Sequence, residues 1–352
     1  MLNTIQTRLR HHSAPSKNKR AIILAVDDDF FPFAYFVAMQ ILELHPDRCF
    51  DVCICVPNLK SIPEYLQIPT IRLCEINITG IEHLPTDHLS IAAYYRFFLP
   101  KIFAKEYEYI LYLDADVFIT ESFANELFTH LPTNFVLAAA PDITYISLSC
   151  DNSLKPNDKE NLKNILKSCS AKHVYRNSGV LLFNVPEYNA RNYFERIFEF
   201  ALRHPNKLIQ HDQSAMNMAL DTDLSLLSYR YNWQSNRVIN YAFDTLKPTI
   251  IHFIRDQKPW LGNTQKLPSK YRSNYITFFE KYFPDLLNSL ETRADLANRE
   301  KSKHRNPIRR SLSQLVRTIK LKTRITEIST LHRMRTKKTI EFISELNKRC
   351  DI

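Results

Sequence analysis

Short apolar runs alternate with stretches of helical periodicity along most of this 352-residue chain. The runs typical of buried strands are residues 20–27, 49–57, 70–76, 109–120, 135–142, 177–185, 223–232 and 249–254. Helical spacing of apolar residues occurs at 31–46, 92–103, 191–204 and 212–220, with Asp212 as the predicted N-cap of the last. Strands alternating with helices predict an α/β fold with a mostly parallel central sheet flanked by helices.

The same pattern divides the chain into three parts. We expect a flexible basic N-terminus over residues 1–19, an α/β domain over 20–285 and a basic amphipathic helical tail over 286–352. Residues 299–352 hold 16 Lys and Arg against 5 Asp and Glu, an excess of 11, whereas the whole chain carries a net charge of +10. The basic character therefore belongs to the tail, and the body is close to neutral.

The tail contains apolar residues at helical spacing, namely Ile308, Leu312, Leu315, Val316 and Ile319. Residues 337–349 repeat this spacing. A cationic helix with one apolar face is predicted to lie on an anionic membrane surface. A charged helix packed on the body is an open alternative. Nucleic-acid binding is disfavoured because aromatic residues do not interleave with the basic ones.

Other features of the sequence predict a cytoplasmic protein that is peripheral on the inner face of the cell membrane. The chain has no run of 18 or more apolar residues, and its first 20 residues lack the apolar middle of a signal peptide. Its seven cysteines are an odd number without paired CxxC spacing, so we expect most to be reduced core residues.

The chain contains only three glycines, Gly80, Gly179 and Gly262. Neither a GxGxxG dinucleotide turn nor a GxxxxGK[ST] phosphate loop can be built from these positions. Any nucleotide that binds here must do so without a glycine-rich loop.

Paired aspartates follow apolar runs at three places: Asp27/Asp29, Asp114/Asp116 and Asp221/Asp223. The third pair is predicted to be a solvated loop. The first two close buried runs, and ligands of open α/β sheets bind outside the carboxyl ends of the strands. For Asp114 and Asp116 the alternatives are solvated carboxylates and a divalent cation held by hard oxygen ligands.

His252 stands at the end of a strand-like run and is a candidate third ligand. Imidazole suits manganese better than magnesium, so we expect Mn²⁺, with Mg²⁺ as an alternative. A cation held by two carboxylates usually has phosphates on its open side. Lys258, fixed before Pro259, is a candidate contact for those phosphates.

Five segments taken in order resemble glycosyltransferase family 8, which includes lipopolysaccharide galactosyl- and glucosyltransferases. They are AVDDDFFPF, YLDADVFIT, NSGVLLFNV, HDQSAMNMAL and HFIRDQKPW, and AAYYRFF adds to the series. The resemblance spans roughly residues 20–285. It implies a GT-A fold and an enzyme that transfers a hexose from a UDP-sugar, uses manganese and retains the anomeric configuration.

The resemblance also implies roles for individual residues. Asp114, Asp116 and His252 would be the metal ligands. Donor contacts would come from Ala25, Asp27, Asp29, Phe30, Arg96, Ala115, Asn177, Ser178, Gly179 and Lys258. Asp142, Asp212 and Gln213 would act on the donor sugar, with Gln213 on the face opposite the leaving group.

Two positions depart from the family pattern. Asp29 stands where asparagine is common, and Arg255 stands where a glycine lets the backbone approach phosphate. The guanidinium of Arg255 is a hypothetical substitute contact for the phosphate. The donor, UDP-galactose or UDP-glucose, stays open. The acceptor is expected to be a saccharide or glycolipid, such as lipopolysaccharide or lipooligosaccharide core, and no nucleic acid is expected.

Two other classes of protein remain as alternatives. A haloacid-dehalogenase-like phosphatase would use Asp114 as nucleophile, but Phe118 stands where its motif has Thr or Val. A basic membrane-binding module with an inactive body is the non-enzyme alternative.

Overall fold

The structure, a computed structural model, describes residues 5–81, 84, 91–132, 134–150, 156–167, 169–170, 173–236, 239–255, 258–261, 270–288, 290, 336–350 and 352. Its strands are β1 (Gln6–His12), β2 (Arg20–Ala25), β3 (Asp51–Val56), β4 (Arg72–Thr79), β5 (Tyr109–Leu113), β6 (Val117–Ile119), β7 (Leu137–Pro141), β8 (Arg176–Asn184), β9 (Ser225–Leu226), β10 (Trp233–Gln234) and β11 (Ile250–His252).

The helices cover both faces of the sheet. They are α1 (Phe31–Leu44), α2 (Leu99–Ile102), α3 (Ala124–Thr129), α4 (Ile143–Ser149), α5 (Pro156–Lys167), α6 (Val185–Ala190), α7 (Tyr193–Arg203), α8 (His211–Leu220), α9 (Phe243–Leu246) and α10 (Lys270–Tyr282). A further helix, residues 336–348, is called the C-terminal helix below.

The strands form one large and one small sheet. The large sheet has eight strands in the order β1-β4-β3-β2-β5-β8-β7-β9, and the small one has the order β10-β11-β6. The α/β fold with a large sheet flanked by helices is confirmed. The sheet is mixed: β4-β3-β2-β5 run parallel, whereas β8 is antiparallel to both of its neighbours.

The central strands are apolar at every position because helices cover both faces. In β2, Ile22 and Leu24 pack on the side of α1, whereas Ala21 and Ile23 pack on the side of α7. The cysteines of β3, Cys53 and Cys55, are fully buried on the side of the sheet that α7 covers. All seven cysteines are free thiols. Burying both faces fixes these strands and therefore the positions of the loops that follow them.

The structure adds detail to two local expectations. Part of the segment expected to be flexible, Gln6–His12, is an edge strand antiparallel to β4, because Leu9 packs against the core beside it. Residues 92–103, expected to be helical with a break near Pro100, form a 3₁₀-helix at Ile91–Phe97 and then the short α2, with Pro100 in the first turn of α2. Proline is tolerated only at such a helix start.

The C-terminal helix packs on the body. Ile343 and Leu346 are buried in the same cluster as α1, and Asn347 Oδ1 accepts a hydrogen bond from Tyr229 N at 3.0 Å. Its apolar face is therefore already used within the molecule. The predicted membrane-facing residues 308–319 lie outside the described residues. None of the described helices combines the length and apolar character that a transmembrane span needs.

Candidate active site

The acidic turn Asp114-Ala115-Asp116 lies where β5 ends and is fixed by its backbone. The N–H of Asp114 donates to Gly179 O of β8 at 2.8 Å, and the C=O of Asp116 accepts from Phe253 N at 2.9 Å. β11 runs antiparallel to β6, with His252 opposite Val117. The two sheets thus bring the acidic turn and the end of β11 together.

Asp114, Asp116 and His252 converge on one point. Nε2 of His252 lies 3.2 Å from Asp116 Oδ1 and 3.6 Å from Asp114 Oδ2. One ligand atom from each of the three residues lies within 4.8 Å of the others. Such a set of two carboxylates and one imidazole can hold a divalent cation.

Asp116 is the most perturbed carboxylate of this set. Burial alone would raise its pKa, but Lys258 and His252 more than offset this and hold the pKa below its usual range. Lys258 Nζ donates to Asp116 Oδ2 and to the C=O of Phe253. Asp116 Oδ1 is buried and has no hydrogen-bond donor among the described residues. A buried carboxylate oxygen in this situation favours a cation as its partner.

Gly179 provides the space around this point. A Cβ atom added there would lie 2.2 Å from His252 Cε1 and 2.7 Å from Asp114 Oδ2. Both distances are far below van der Waals contact, so any side chain at position 179 would displace the imidazole or the carboxylate. The structure therefore requires glycine here.

Arg96 connects the acidic turn to α8. Its guanidinium lies 3.0 Å from Asp114 Oδ1, 3.6 Å from Asp212 Oδ2 and 2.5 Å from the C=O of Ser178. Burial alone would lower the pKa of Arg96, but Asp114, Tyr112 and Asp212 raise it above its usual value. The arginine therefore stays charged and pairs with both carboxylates.

Gln213, Asn177 and Asp142 form a buried network. Gln213 Oε1 accepts from Asn177 Nδ2 at 2.9 Å and from Ser178 N at 3.2 Å. Gln213 Nε2 donates to Asp142 Oδ2 at 3.1 Å. Asp142 also caps α4, accepting from Thr144 N at 2.7 Å. These contacts fix which way the amide of Gln213 points.

Asp212 lies beside this network, inside the first turn of α8. Asp212 was predicted to be the N-cap of this helix, but in the structure the N-cap is Gln210. Ser178 Oγ donates to Asp212 Oδ2 at 3.0 Å. Burial raises the pKa of Asp212, and the positive charge of Arg96 works against that rise.

A cleft of about 590 Å³ opens onto these groups. Its lining includes the predicted residues Arg96, Asp114, Asp142, Asn177, Ser178, Gly179, Asp212 and Gln213, together with Arg255. Its walls come from α4, β8, α8 and the loop after β11. Half of the sixteen predicted site residues thus share one cavity at the strand ends.

The predicted uridine residues lie apart from the lining of this cleft. Ala25 is buried at the end of β2, which runs parallel to β5. Asp27 caps a 3₁₀-helix by accepting from Phe30 N at 3.1 Å, and Phe30 is 43% exposed. Ala115 is buried, and Asp29 is exposed. Ala115 lies within the acidic turn itself, and the other four lie at or just after the end of β2, the strand beside β5.

Sequence reasoning missed Asn232. Its side chain is fully buried between His252 and Asn177, at 2.9 Å from each. Gln210 was missed as well, and its amide oxygen accepts from Gln213 Nε2. An isolated Asn or Gln gives no signal in the sequence, since only the fold brings it to the site.

The fold is that of a GT-A glycosyltransferase. Residues 21–264 match the model of glycosyl transferase family 8, and these 244 residues are more than half of the 352-residue chain. The chain therefore belongs to glycosyl transferase family 8. The phosphatase alternative has no support from these comparisons.

The relatives are distant. General stress protein A of Bacillus subtilis is 25% identical over 224 residues, which are 59% of this chain and 72% of that protein. Glycosyltransferase GlyF of Streptococcus pneumoniae is 23% identical over 69% of this chain, and lipopolysaccharide 1,3-galactosyltransferase of Salmonella typhimurium is 23% identical over 53%. The matches span only 57% and 54% of those two proteins.

Solved structures support the fold. The galactosyltransferase LgtC, in complex with donor and acceptor sugar analogs, superposes with a TM-score of 0.59 at 20% identity. That match covers 72% of this chain and 94% of LgtC. The bifunctional glycosyltransferase WbbM gives a TM-score of 0.58 at 18% identity, over 78% of this chain and 52% of WbbM.

Proposed function

We propose that this glycosyltransferase moves a hexose, galactose or glucose, from a UDP-sugar to a saccharide acceptor with retention of the anomeric configuration. The observation that carries the proposal is the convergence of Asp114, Asp116 and His252, with ligand atoms within 4.8 Å of one another. They lie at the edge of a polar cleft of about 590 Å³, large enough for sugar rings.

The residues present fit a divalent cation. Asp116 Oδ1 is buried without a donor among the described residues, and Gly179 leaves the space that Asp114 and His252 occupy. Asp114, Asp116 and His252 would hold the ion, and the imidazole favours Mn²⁺ over Mg²⁺. Such an ion, when bound, neutralises charge on the diphosphate of a leaving UDP.

The chain's own cations would complete the diphosphate site. In the described structure Lys258 neutralises Asp116, so it already lies beside the metal ligands. From there its ammonium would reach diphosphate oxygens as a point charge. Arg96 would contact the donor sugar and phosphates. Uridine would lie along Ala25, Asp27, Asp29 and Phe30, with its ribose at Ala115.

The buried network would orient the donor sugar. Asp142 and Asp212 would accept hydrogen bonds from sugar hydroxyl groups, beside Asn177 and Ser178. Gln213 would face the anomeric carbon from the side opposite UDP, where its amide is fixed by Asp142 and Asn177. Retention then follows if the acceptor hydroxyl attacks from the same face that UDP leaves. The proposal takes this front-face route rather than a covalent intermediate.

The first experiment measures UDP release from UDP-galactose and UDP-glucose with Mn²⁺, followed by trial acceptors from lipopolysaccharide core. Asp114→Asn should lower the rate by at least about a hundredfold, since it removes a ligand to the ion. Asp223→Asn is the matched control, because Asp223 pairs with Arg196 away from the cleft. Equal rates in the two variants would refute the metal assignment, and an inverted product would refute retention.

We further propose a glycolipid acceptor reached at the inner face of the cell membrane, with cationic residues of the tail on anionic lipid. The residues that carry this proposal are Arg309, Arg310, Arg317, Lys320 and Lys322. Changing all five to Gln in the full chain should abolish binding to vesicles containing phosphatidylglycerol. Truncation is the wrong test, because the C-terminal helix contributes Ile343 and Leu346 to the core. Undiminished vesicle binding would overturn the proposal.

A further inference from the structure

A second group of metal-ligating side chains lies apart from the cleft, at the C-terminal end of α8. Cys169 and His173 belong to the segment between α5 and β8, and Asp221 directly follows α8. One ligand atom from each of these residues lies within 4.8 Å of the others. None of the three lines the cleft, and the proposed transfer reaction does not use them.

The three side chains are arranged around a common point. His173 Nδ1 lies 2.9 Å from Asp221 Oδ1. Cys169 and His173 are four residues apart, and the N–H of His173 donates to Ser170 O at 3.0 Å, forming the turn between them. Zinc bonds of ordinary length place ligand atoms roughly 3.3–3.6 Å apart. Small side-chain movements would therefore bring all three into that range.

Two further observations favour a ligand at this point. The His173 side chain is fully buried, its Nδ1 contacts Asp221 Oδ1 without the geometry of a hydrogen bond, and its Nε2 has no hydrogen-bond partner among the described residues. Ser170 orients the carboxylate of Asp221. The N–H of Ser170 donates to Asp221 Oδ2 at 3.0 Å, and its hydroxyl donates to Asp221 Oδ1 at 3.3 Å. Outer hydrogen bonds of this kind orient metal ligands. Asp221 also adopts a φ of 43°, in the left-handed region.

We propose that Cys169, His173 and Asp221 bind a zinc ion that fastens the segment before β8 to the end of α8. Thiolate, imidazole and carboxylate are all zinc ligands, and water would occupy the fourth tetrahedral position. The other end of α8 carries Asp212 and Gln213, so the ion would stabilise the helix that supports the cleft. Burial and Asp221 raise the pKa of Cys169 to about 11, so zinc binding must release the thiol proton.

The test uses the full chain carrying Asp114→Asn and Asp116→Asn, which removes the other metal site. After treatment with a chelator, zinc is titrated against a chromophoric competitor, and Co²⁺ is added separately. We expect one zinc per chain, a higher melting temperature with zinc, and a thiolate-to-cobalt absorption band. In this background Cys169→Ser should abolish the band and weaken zinc binding at least about tenfold.

Controls separate this site from adventitious binding. Cys49→Ser changes an exposed cysteine elsewhere and should leave zinc binding and the cobalt band unchanged. His173→Asn should also lose zinc and the zinc-dependent rise in melting temperature. If that variant fails to fold, Asp221→Asn removes a ligand whose side chain is 33% exposed. No bound zinc in the parent, or equal affinity in the Cys169→Ser variant, would overturn the proposal.

Discussion

Nδ1 of His252 lies 2.9 Å from Oδ1 of Asn232, and this contact determines which ring nitrogen faces Asp114 and Asp116. An amide oxygen only accepts, so Nδ1 must carry the proton. Nε2, the nitrogen that faces the two carboxylates, would then offer its lone pair to a cation bound between them. The Nδ2 of Asn232 in turn donates to Asn177 Oδ1, which fixes the orientation of the amide.

Asn232→Leu should lower Mn²⁺ affinity roughly 10- to 100-fold, because it removes the group that orients the imidazole. Titration calorimetry of Mn²⁺ with UDP measures this. Asn232→Asp keeps an acceptor for Nδ1 and should lose less affinity. If the Asn232→Leu variant bound Mn²⁺ as tightly as the parent, His252 would not need Asn232 to orient it.

Gly179→Ala should lower UDP release roughly a hundredfold, since misplacing a site group by about 1 Å has effects of that size. The added methyl group would overlap His252 Cε1 and Asp114 Oδ2, so Mn²⁺ binding should weaken in parallel. Near-ultraviolet circular dichroism checks that the variant is folded. A folded variant with full Mn²⁺ affinity would show that the ligands can move aside without loss.

The fold and the acidic turn could be predicted because they follow from short sequence patterns. Fully apolar strands indicate a sheet covered on both faces, and Asp114 and Asp116 directly follow one of them. The antiparallel course of β8 could not be predicted, because strand direction depends on how the chain returns to the sheet. β1 was missed because it is an edge strand whose residues alternate between exposed and half-buried.

Side chains that orient other residues through hydrogen bonds could not be predicted from the sequence, for a related reason. Asn232 lies 20 residues before its partner His252 and 55 residues after Asn177. His45 likewise contacts residues 78 and 79 positions away. Nothing local in the sequence marks such a residue, since its role arises only after the strands have assembled.

Gln213→Glu should lower kcat roughly a hundredfold while leaving UDP affinity nearly unchanged. The substitution keeps the size of the side chain but places a second carboxylate 3.1 Å from Asp142 Oδ2, where an amide now donates. Like charges at this distance repel, so the side chain must move away from the donor sugar. Gln67→Glu, outside the cleft, is the control. Unchanged kcat would remove Gln213 from the reaction.

His45 should make stability depend on pH. Nε2 accepts from Phe123 N and Ala124 N at 2.9 and 3.0 Å, which caps the start of α3. Burial lowers the pKa of His45 from its ordinary value of 6.5. Protonation of Nε2 would place a proton against the N–H groups of Phe123 and Ala124, and both hydrogen bonds would be lost. The unfolded chain therefore binds the proton more readily, and the stabilisation present above pH 6.5 is lost as pH falls through the folded pKa.

The melting temperature measured with EDTA should accordingly fall between pH 7 and pH 5. His45→Gln should be less stable at pH 7, because its amide cannot satisfy both N–H groups equally well, but its stability should change less over the same interval. If parent and variant show parallel pH profiles, another group is responsible for the acid sensitivity.

Arg255 has a φ of 56°, in the left-handed region that favours glycine, and it lines the cleft. Such a conformation costs about 1–3 kcal/mol in a side-chain-bearing residue, so retaining arginine here implies a gain elsewhere. If its guanidinium contacts the donor phosphate, Arg255→Gly should weaken UDP binding with Mn²⁺ about tenfold, as loss of a charged hydrogen bond would. Arg255→Ala should weaken it equally without relieving the backbone, so only the glycine variant should gain stability. Unchanged UDP affinity in both variants would remove Arg255 from the donor site.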